Sequence, residues 1–349
     1  MFHVFFSADE NYLKYLAALI NSIVRTTKIE CSFDEYLNCN GGGLSDKVMT
    51  EGYVFHILTN RKFSRIEVDK LEKISKLLSQ IYPCQIVSHV VDEEFFIKHN
   101  APIWKGNYQT YFRFFVADFL GPEVKRALYL DVDMLVLDDI RKLWAIETDQ
   151  AIMMVAKLPS VFQTNKFNAG FIFFNIKAWR NEGWKIKCLE YTKKNKALDQ
   201  DTLNEVVDKD RIIFIPQAWD YCFQTYQSDG EDLLRFEKKE DFLKEVSIVH
   251  YIRPKPWGNI MEWFYKSRGR CLRYQGIIDL WWENALQTPV YSSELLDLKL
   301  RTNNEIERVV SSYIGGLVFF VIRLKRWFRN RILTSICDLF GWADNDRRR

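Results

Sequence analysis

The seven cysteines of this 349-residue chain are odd in number and include no Cys-x-x-Cys pair. That excludes a disulfide framework and points to free thiols in a reducing compartment. Cys31 and Cys39 are the only close pair, and no neighbouring Cys or His completes a zinc set. Long apolar runs are also missing. The longest, Ile314 to Ile322, spans nine residues, against the roughly 20 that a membrane-crossing helix needs. The opening MFHVFFSADE has neither the basic flank nor the apolar stretch of a signal peptide. The expectation is a cytoplasmic protein, or one attached to a membrane surface from the cytoplasmic side. A formal net charge of +3 is too small to imply a nucleic-acid partner, and 48% hydrophobic with 27% charged residues excludes a disordered chain.

The small net charge conceals an uneven distribution. From Val321 onward eight basic residues (Arg323, Lys325, Arg326, Arg329, Arg331, Arg347, Arg348, Arg349) face three acids (Asp338, Asp344, Asp346). The tail therefore has a surplus of five positive charges, and the rest of the chain stands at −2. At 100° per residue, Leu317, Phe320, Val321, Leu324, Trp327, Phe328 and Ile332 share one side of a helix. Arg323, Lys325, Arg326 and Arg329 share the other, and only Arg331 intrudes. This is the pattern of a helix lying in the plane of an anionic membrane, over about residues 311–340. A helix packed on the body with a solvated basic face has the same pattern.

Upstream, apolar runs alternate with helical spacing. Val4–Phe6, Val54–Leu58, Gln85–Val90, Ala127–Leu130, Ala151–Val155, Gly170–Ile176, Ile212–Ile215 and Val246–His250 read as strands. Tyr12–Val24, Val68–Ile81, Tyr108–Leu120 and Asp201–Val207 read as helices, the second with Val68, Leu71, Ile74, Leu77, Leu78 and Ile81 on one face. The alternation predicts an α/β fold with a mostly parallel mixed sheet. Cys31–Gly52, with Gly41-Gly42-Gly43, reads as a flexible surface insertion. After Trp257 the chain becomes rich in Trp, Tyr, Arg and Leu with helical spacing. That predicts one domain over 1–260 and a helical region over 261–349.

Ligands of such sheets bind at the carboxyl ends of strands, where Asp9 and Asp131 fall. Tyr129-Leu130-Asp131-Val132-Asp133-Met134 sets two carboxylates between apolar runs. Buried unpaired carboxylates are costly, so two this close call for a cation, and their hard oxygens suit Mg²⁺ or Mn²⁺. A hairpin turn that exposes both to water fits the same spacing. His250 ends an apolar strand and Lys255 follows at five residues, so a third ligand and a phosphate-binding point charge are one reading. A core histidine and a surface lysine are the other. Asn168-Ala169-Gly170 at a strand mouth allows a ligand close to backbone, or forms an ordinary turn. Asp199-Gln200-Asp201 precedes a helical segment in which Asp201 also fits as an N-cap.

Together, FFSADENY (5–12), the Arg113 helix, YLDVDMLV (129–136), FNAGFIFFNIKAWR (167–180), LDQDTLN (198–204) and HY…KPW (250–257) resemble one family. It is the retaining, nucleotide-sugar-dependent glycosyltransferases of family 8, which include bacterial lipopolysaccharide galactosyl- and glucosyltransferases and the glycogenins. The resemblance covers residues 2–260 and implies a GT-A fold, Rossmann-like, that binds UDP-galactose or UDP-glucose with Mn²⁺ or Mg²⁺. It implies Asp131, Asp133 and His250 as metal ligands and Lys255 on the diphosphate. Ser7, Ala8, Asp9, Asn11 and Val132 would lie around the nucleotide. Arg113, Asn168, Ala169, Gly170, Asp199 and Gln200 would surround the donor sugar, with Asp199 and Gln200 beside the reacting carbon. Gln200 is a poor nucleophile, which favours front-side attack by the acceptor over a covalent intermediate. The His250–Lys255 segment is one residue shorter than the family's usual form, so Arg253 is a second candidate for the phosphate. Lys157 stands where many members have an acid, which leaves the sugar open. The acceptor implied is a lipid-linked glycan such as a lipopolysaccharide or lipooligosaccharide core. The alternatives are a self-glucosylating primer protein and a non-catalytic nucleotide-sugar binder.

Overall fold

The computed structural model describes residues 1–39, 51–98, 100–104, 106–158, 166–224, 239–258 and 275–311. In chain order its strands are β1 (Phe2–Ser7), β2 (Tyr53–Thr59), β3 (Cys84–Val90), β4 (Arg126–Leu130), β5 (Met134–Val136), β6 (Met153–Ala156), β7 (Phe171–Asn175), β8 (Ile212–Ile215), β9 (Tyr221–Gln224) and β10 (Ile248–Arg253). Seven form one sheet in the order β3-β2-β1-β4-β7-β6-β8, and β5-β10-β9 form a smaller one. Strand β1 runs parallel to β2 and β4, β2 to β3, and β6 to β8, while β7 runs against both of its neighbours. The fold is the expected α/β, GT-A-like architecture with a mostly parallel mixed sheet. Every residue of β2 is buried, as a strand covered on both faces requires.

Helix α1 (Leu13–Thr26) buries Leu16, Leu19, Ile20 and Ile23, the stripe read from the sequence. Helix α3 (Arg65–Leu78), which follows α2 (Phe33–Cys39), ends three residues before the expected limit. Ile81 lies beyond its end, and both Leu77 and Ile81 are exposed, because Leu71, Ile74 and Leu78 already cover the sheet. The segment Gln109–Phe119 forms 3-10 turns rather than an α-helix. At three residues per turn, side chains at i and i+3 eclipse, which sets Thr110 and Arg113 side by side. The helix predicted from Asp201 begins at Asp199, so Asp201 sits in its first turn and not at the cap.

The predicted insertion at Cys31–Gly52 is anchored at both ends, and residues 40–50 lie outside the described ones. Phe33 of α2 is buried against Phe2 at 5.0 Å between ring centres. Arg141 and Asp139, both fully buried, meet at 2.7 Å, and Arg141 Nη1 binds Glu51 at 2.7 Å. The same guanidinium donates to the carbonyls of Lys28 (2.7 Å) and Cys31 (3.0 Å). The network joins the end of α1 and the start of the insertion to the segment that leaves β5. An apolar run would not reveal it, because it rests on charges far apart in sequence.

The helix Gln275–Ala285 returns to α1. Trp281 and Trp282 are buried, and Asn284 pairs with Asn21 at 2.9 Å. A second helix, Ser292–Ser311, follows. The tail helix expected over 311–340 falls, but for its first residue, outside the described residues. Among the described residues no helix is long and apolar enough to cross a membrane. Removing one partner of a buried ion pair strands the other, so Arg141→Met is expected to destabilise the protein by about 3–5 kcal/mol. Urea unfolding of the variant beside wild type checks this.

Candidate active site

Three chain segments meet beyond the carboxyl end of β4. Asp131 follows β4 directly, and its backbone N–H donates to Gly170 O at 2.8 Å, which fixes it beside the mouth of β7. Asp133 precedes β5, and its carbonyl accepts from Tyr251 N at 2.8 Å. His250 comes from β10, which pairs with β5 and lays His250 opposite Met134. Its Nε2 lies 3.2 Å from Asp133 Oδ1 and 4.0 Å from Asp131 Oδ2. One ligand atom from each of the three side chains falls within 4.8 Å of the other two. This is not a hairpin turn open to water: the Asp133 side chain is 14% exposed and that of His250 4%.

Cations hold these acids. Arg113, buried in the 3-10 segment, donates from Nη2 to Asp131 Oδ1 at 2.9 Å and binds Asp199 Oδ2 through Nε at 3.0 Å. It also donates to the Ala169 carbonyl, and its guanidinium lies 4.6 Å from the centre of the Tyr129 ring. Burial works against the Arg113 charge, but Asp131 and Asp199 more than offset it and hold its pKa above the ordinary value. Burial raises the Asp131 carboxyl, and the opposing pull of Arg113, His250 and Lys255 leaves it below the usual carboxylate range. Asp199 goes the other way. Burial pushes it up, against Arg113 and a hydrogen bond from Thr110. Lys255 Nζ lies directly on Asp133 Oδ2, whereas Arg253 is exposed at the end of β10. Burial disfavours the His250 imidazolium, yet Asp220 at 3.0 Å and Cys222 outweigh it and bring its pKa up to about 10. Burial pushes the Cys222 thiol up to about 12, so it stays protonated.

The remaining predicted residues cluster on the same rim. Gln200 Oε1 accepts from Ala169 N at 3.2 Å, and Asn168 Oδ1 from Gly170 N at 2.7 Å. Ser7 Oγ receives the Tyr129 hydroxyl at 3.1 Å, and the same hydroxyl reaches Asp131 at 3.2 Å. Ala8 N bonds Leu58 O at 3.0 Å, and Val132 is buried between the two acids. Asp9 caps the following 3-10 turn, accepting from Asn11 N at 2.9 Å and Tyr12 N at 3.2 Å. Asn11 is exposed. Lys157 follows β6 and is exposed, with its N–H on Ile215 O at 3.0 Å.

The model of glycosyl transferase family 8 matches residues 3–261. The chain belongs to that family. Lipopolysaccharide 1,3-galactosyltransferase of Salmonella typhimurium is 27% identical over 304 residues, 78% of this chain and 81% of its own length. Lipopolysaccharide 1,2-glucosyltransferase of Escherichia coli is 24% identical over 273 residues, 73% of this chain and 72% of its own. Among solved structures, the galactosyltransferase LgtC in complex with donor and acceptor sugar analogues superposes with a TM-score of 0.60. It shares 18% identity over 85% of this chain and 99% of its own, a likeness of fold. This family 8 chain is a hexosyltransferase. Its family uses nucleotide-sugar donors and usually a divalent metal.

The donor set of this family 8 site suits a hard cation, with two carboxylates and one imidazole around a space that Gly170 leaves free. A Cβ at Gly170 would press on His250 Cε1 and stand 2.9 Å from both Asp131 Oδ2 and Asn168 Oδ1. Thr110 and Asp220 were invisible to sequence reading, since a lone Thr in an aromatic run and a lone Asp after Trp219 have no pattern. Tyr129 lay inside the quoted motif without a role. Gly170→Ala should displace His250 and lower the rate of sugar transfer on the order of a hundredfold. Initial rates, beside a thermal unfolding scan that shows the fold retained, check this.

Proposed function

We propose that this hexosyltransferase moves galactose or glucose, with retention of anomeric configuration, from a UDP-sugar to a lipid-linked or surface glycan. A lipopolysaccharide or lipooligosaccharide core is the acceptor in view, as the names of the two bacterial relatives suggest. The observation that carries the reading is the convergence of Asp131, Asp133 and His250 beside Gly170 at the end of β4. These three side chains would hold Mn²⁺ or Mg²⁺. When bound, the divalent cation supplies a Lewis acid for the charge that grows on the departing diphosphate.

The chain's own groups do the rest. Lys255, already against Asp133, adds a point charge beside the phosphates. The rim of Ser7, Ala8, Asp9, Asn11 and Val132 would take the uridine and its ribose. The second rim, of Arg113, Asn168, Ala169, Gly170, Asp199 and Gln200, would take the sugar. Asp199 is 9% exposed and engaged by Arg113 and Thr110, so it is poorly placed to attack an anomeric carbon. Gln200 is exposed, and its amide oxygen can stabilise positive charge on the sugar ring. Both facts favour front-side attack by the acceptor hydroxyl. Without Asp133 the imidazole and Asp131 are too few ligands, so Asp133→Ala is expected to reduce Mn²⁺-dependent transfer to background. A donor screen scored by released UDP checks it, and full activity in the variant would refute the metal assignment.

The basic, aromatic tail over 311–340 would lay the enzyme on an anionic bilayer near its acceptor, as an extension of the catalytic domain over 1–260. Truncation after Ser311 should move the protein from the membrane fraction to the supernatant while transfer to a soluble acceptor persists. Sedimentation with anionic vesicles measures this, and unchanged membrane binding would refute it.

A further inference from the structure

We propose that Asp220 is the positioning residue that orients His250 for cation binding. This inference rests on the metal assignment above and extends it by one layer. Asp220 ends the 3-10 turn Gln217–Asp220 and leads into β9, which pairs in parallel with β10 so that Cys222 lies opposite His250. Ser247 N donates to Ala218 O at 2.8 Å, which ties the turn to the start of β10. The pairing delivers Asp220 Oδ1 to 3.0 Å from His250 Nδ1, and Asp220 is 2% exposed.

An ionised carboxylate only accepts hydrogen bonds. Nδ1 of His250 therefore carries a proton in either charge state of the ring, and the proton that a bound cation would displace is the one on Nε2. That is the nitrogen facing Asp133 at 3.2 Å and Asp131 at 4.0 Å. One contact thus fixes the ring rotation and the tautomer together. A carboxylate behind a metal-binding imidazole also raises its basicity, and such outer partners typically change metal affinity by 10–100-fold when removed. Among the described residues Asp220 pairs with His250 and also interacts with the protonated Cys222 thiol.

The test measures Mn²⁺ affinity directly, by the free-ion electron paramagnetic resonance signal, on the full chain. Wild type should bind, and Asp133→Ala should not. Asp220→Asn, close in shape, should bind about 10–100-fold more weakly, with its unfolding midpoint near that of wild type. Asp220→Leu should bind more weakly still. Asp220→Asn that is folded and binds Mn²⁺ as tightly as wild type overturns the positioning role while leaving the metal site standing. Wild type that binds no Mn²⁺, or Asp133→Ala that binds it normally, overturns the metal assignment and this inference with it. A second readout needs no variant at position 220. In the Mg²⁺-loaded wild-type protein, ¹⁵N–¹H correlation of the ring signal lost in His250→Gln should show the proton on Nδ1. A proton on Nε2 overturns the proposal.

Discussion

Four carboxylates, Asp131, Asp133, Asp199 and Asp220, crowd around the end of β4, and none has its side chain more than 29% exposed. Their mutual repulsion in a poorly solvated space is the constraint to which the surrounding structure answers. Arg113 answers for two of them, bridging Asp131 and Asp199 from a fully enclosed position. His250 stands between Asp220 and the Asp131–Asp133 pair, and Lys255 covers the outer face of Asp133. The balance holds Asp131 below the usual carboxylate range, and Asp131 and Asp133 converge on one point at the rim. A divalent cation there would join an arrangement already built for positive charge.

That balance also dictates the fold around it. The 3-10 period of Gln109–Phe119 aligns Thr110 with Arg113 so that both reach Asp199. The β5-β10-β9 sheet is small, but it delivers Asp133, His250 and Asp220 from three separate segments. Gly170 completes the space, since any side chain there would collide with the imidazole. Farther away, the Arg141–Asp139–Glu51 network ties down the chain that leaves β5. Rigid support of this kind keeps a ligand set within the tolerance that catalysis demands.

The sheet was legible because fully covered strands such as β2 read as unbroken apolar runs, and because Asp-x-Asp after β4 interrupts such a run with charge. His250 was legible only through the family resemblance, for a histidine ending a strand is more often an ordinary core residue. Asp220 and Thr110 were not legible, since their meaning lies in strand pairing and turn period rather than in neighbouring letters. The α3 boundary was placed too late because Leu77 and Ile81 continue the apolar spacing while the sheet has no room for them. The insertion at Cys31–Gly52 looked free because its glycines are local, whereas the ion pair that anchors it joins Glu51 to Arg141.

The central claim is that Asp131, Asp133 and His250 form one cation site beside the diphosphate of the donor. The most direct measurement is an anomalous difference map from crystals grown with Mn²⁺ and UDP. The account predicts a single peak at coordinating distance from both carboxylates and His250 Nε2, in contact with the diphosphate oxygens. A peak remote from those three side chains, or UDP seated there without one, would contradict it.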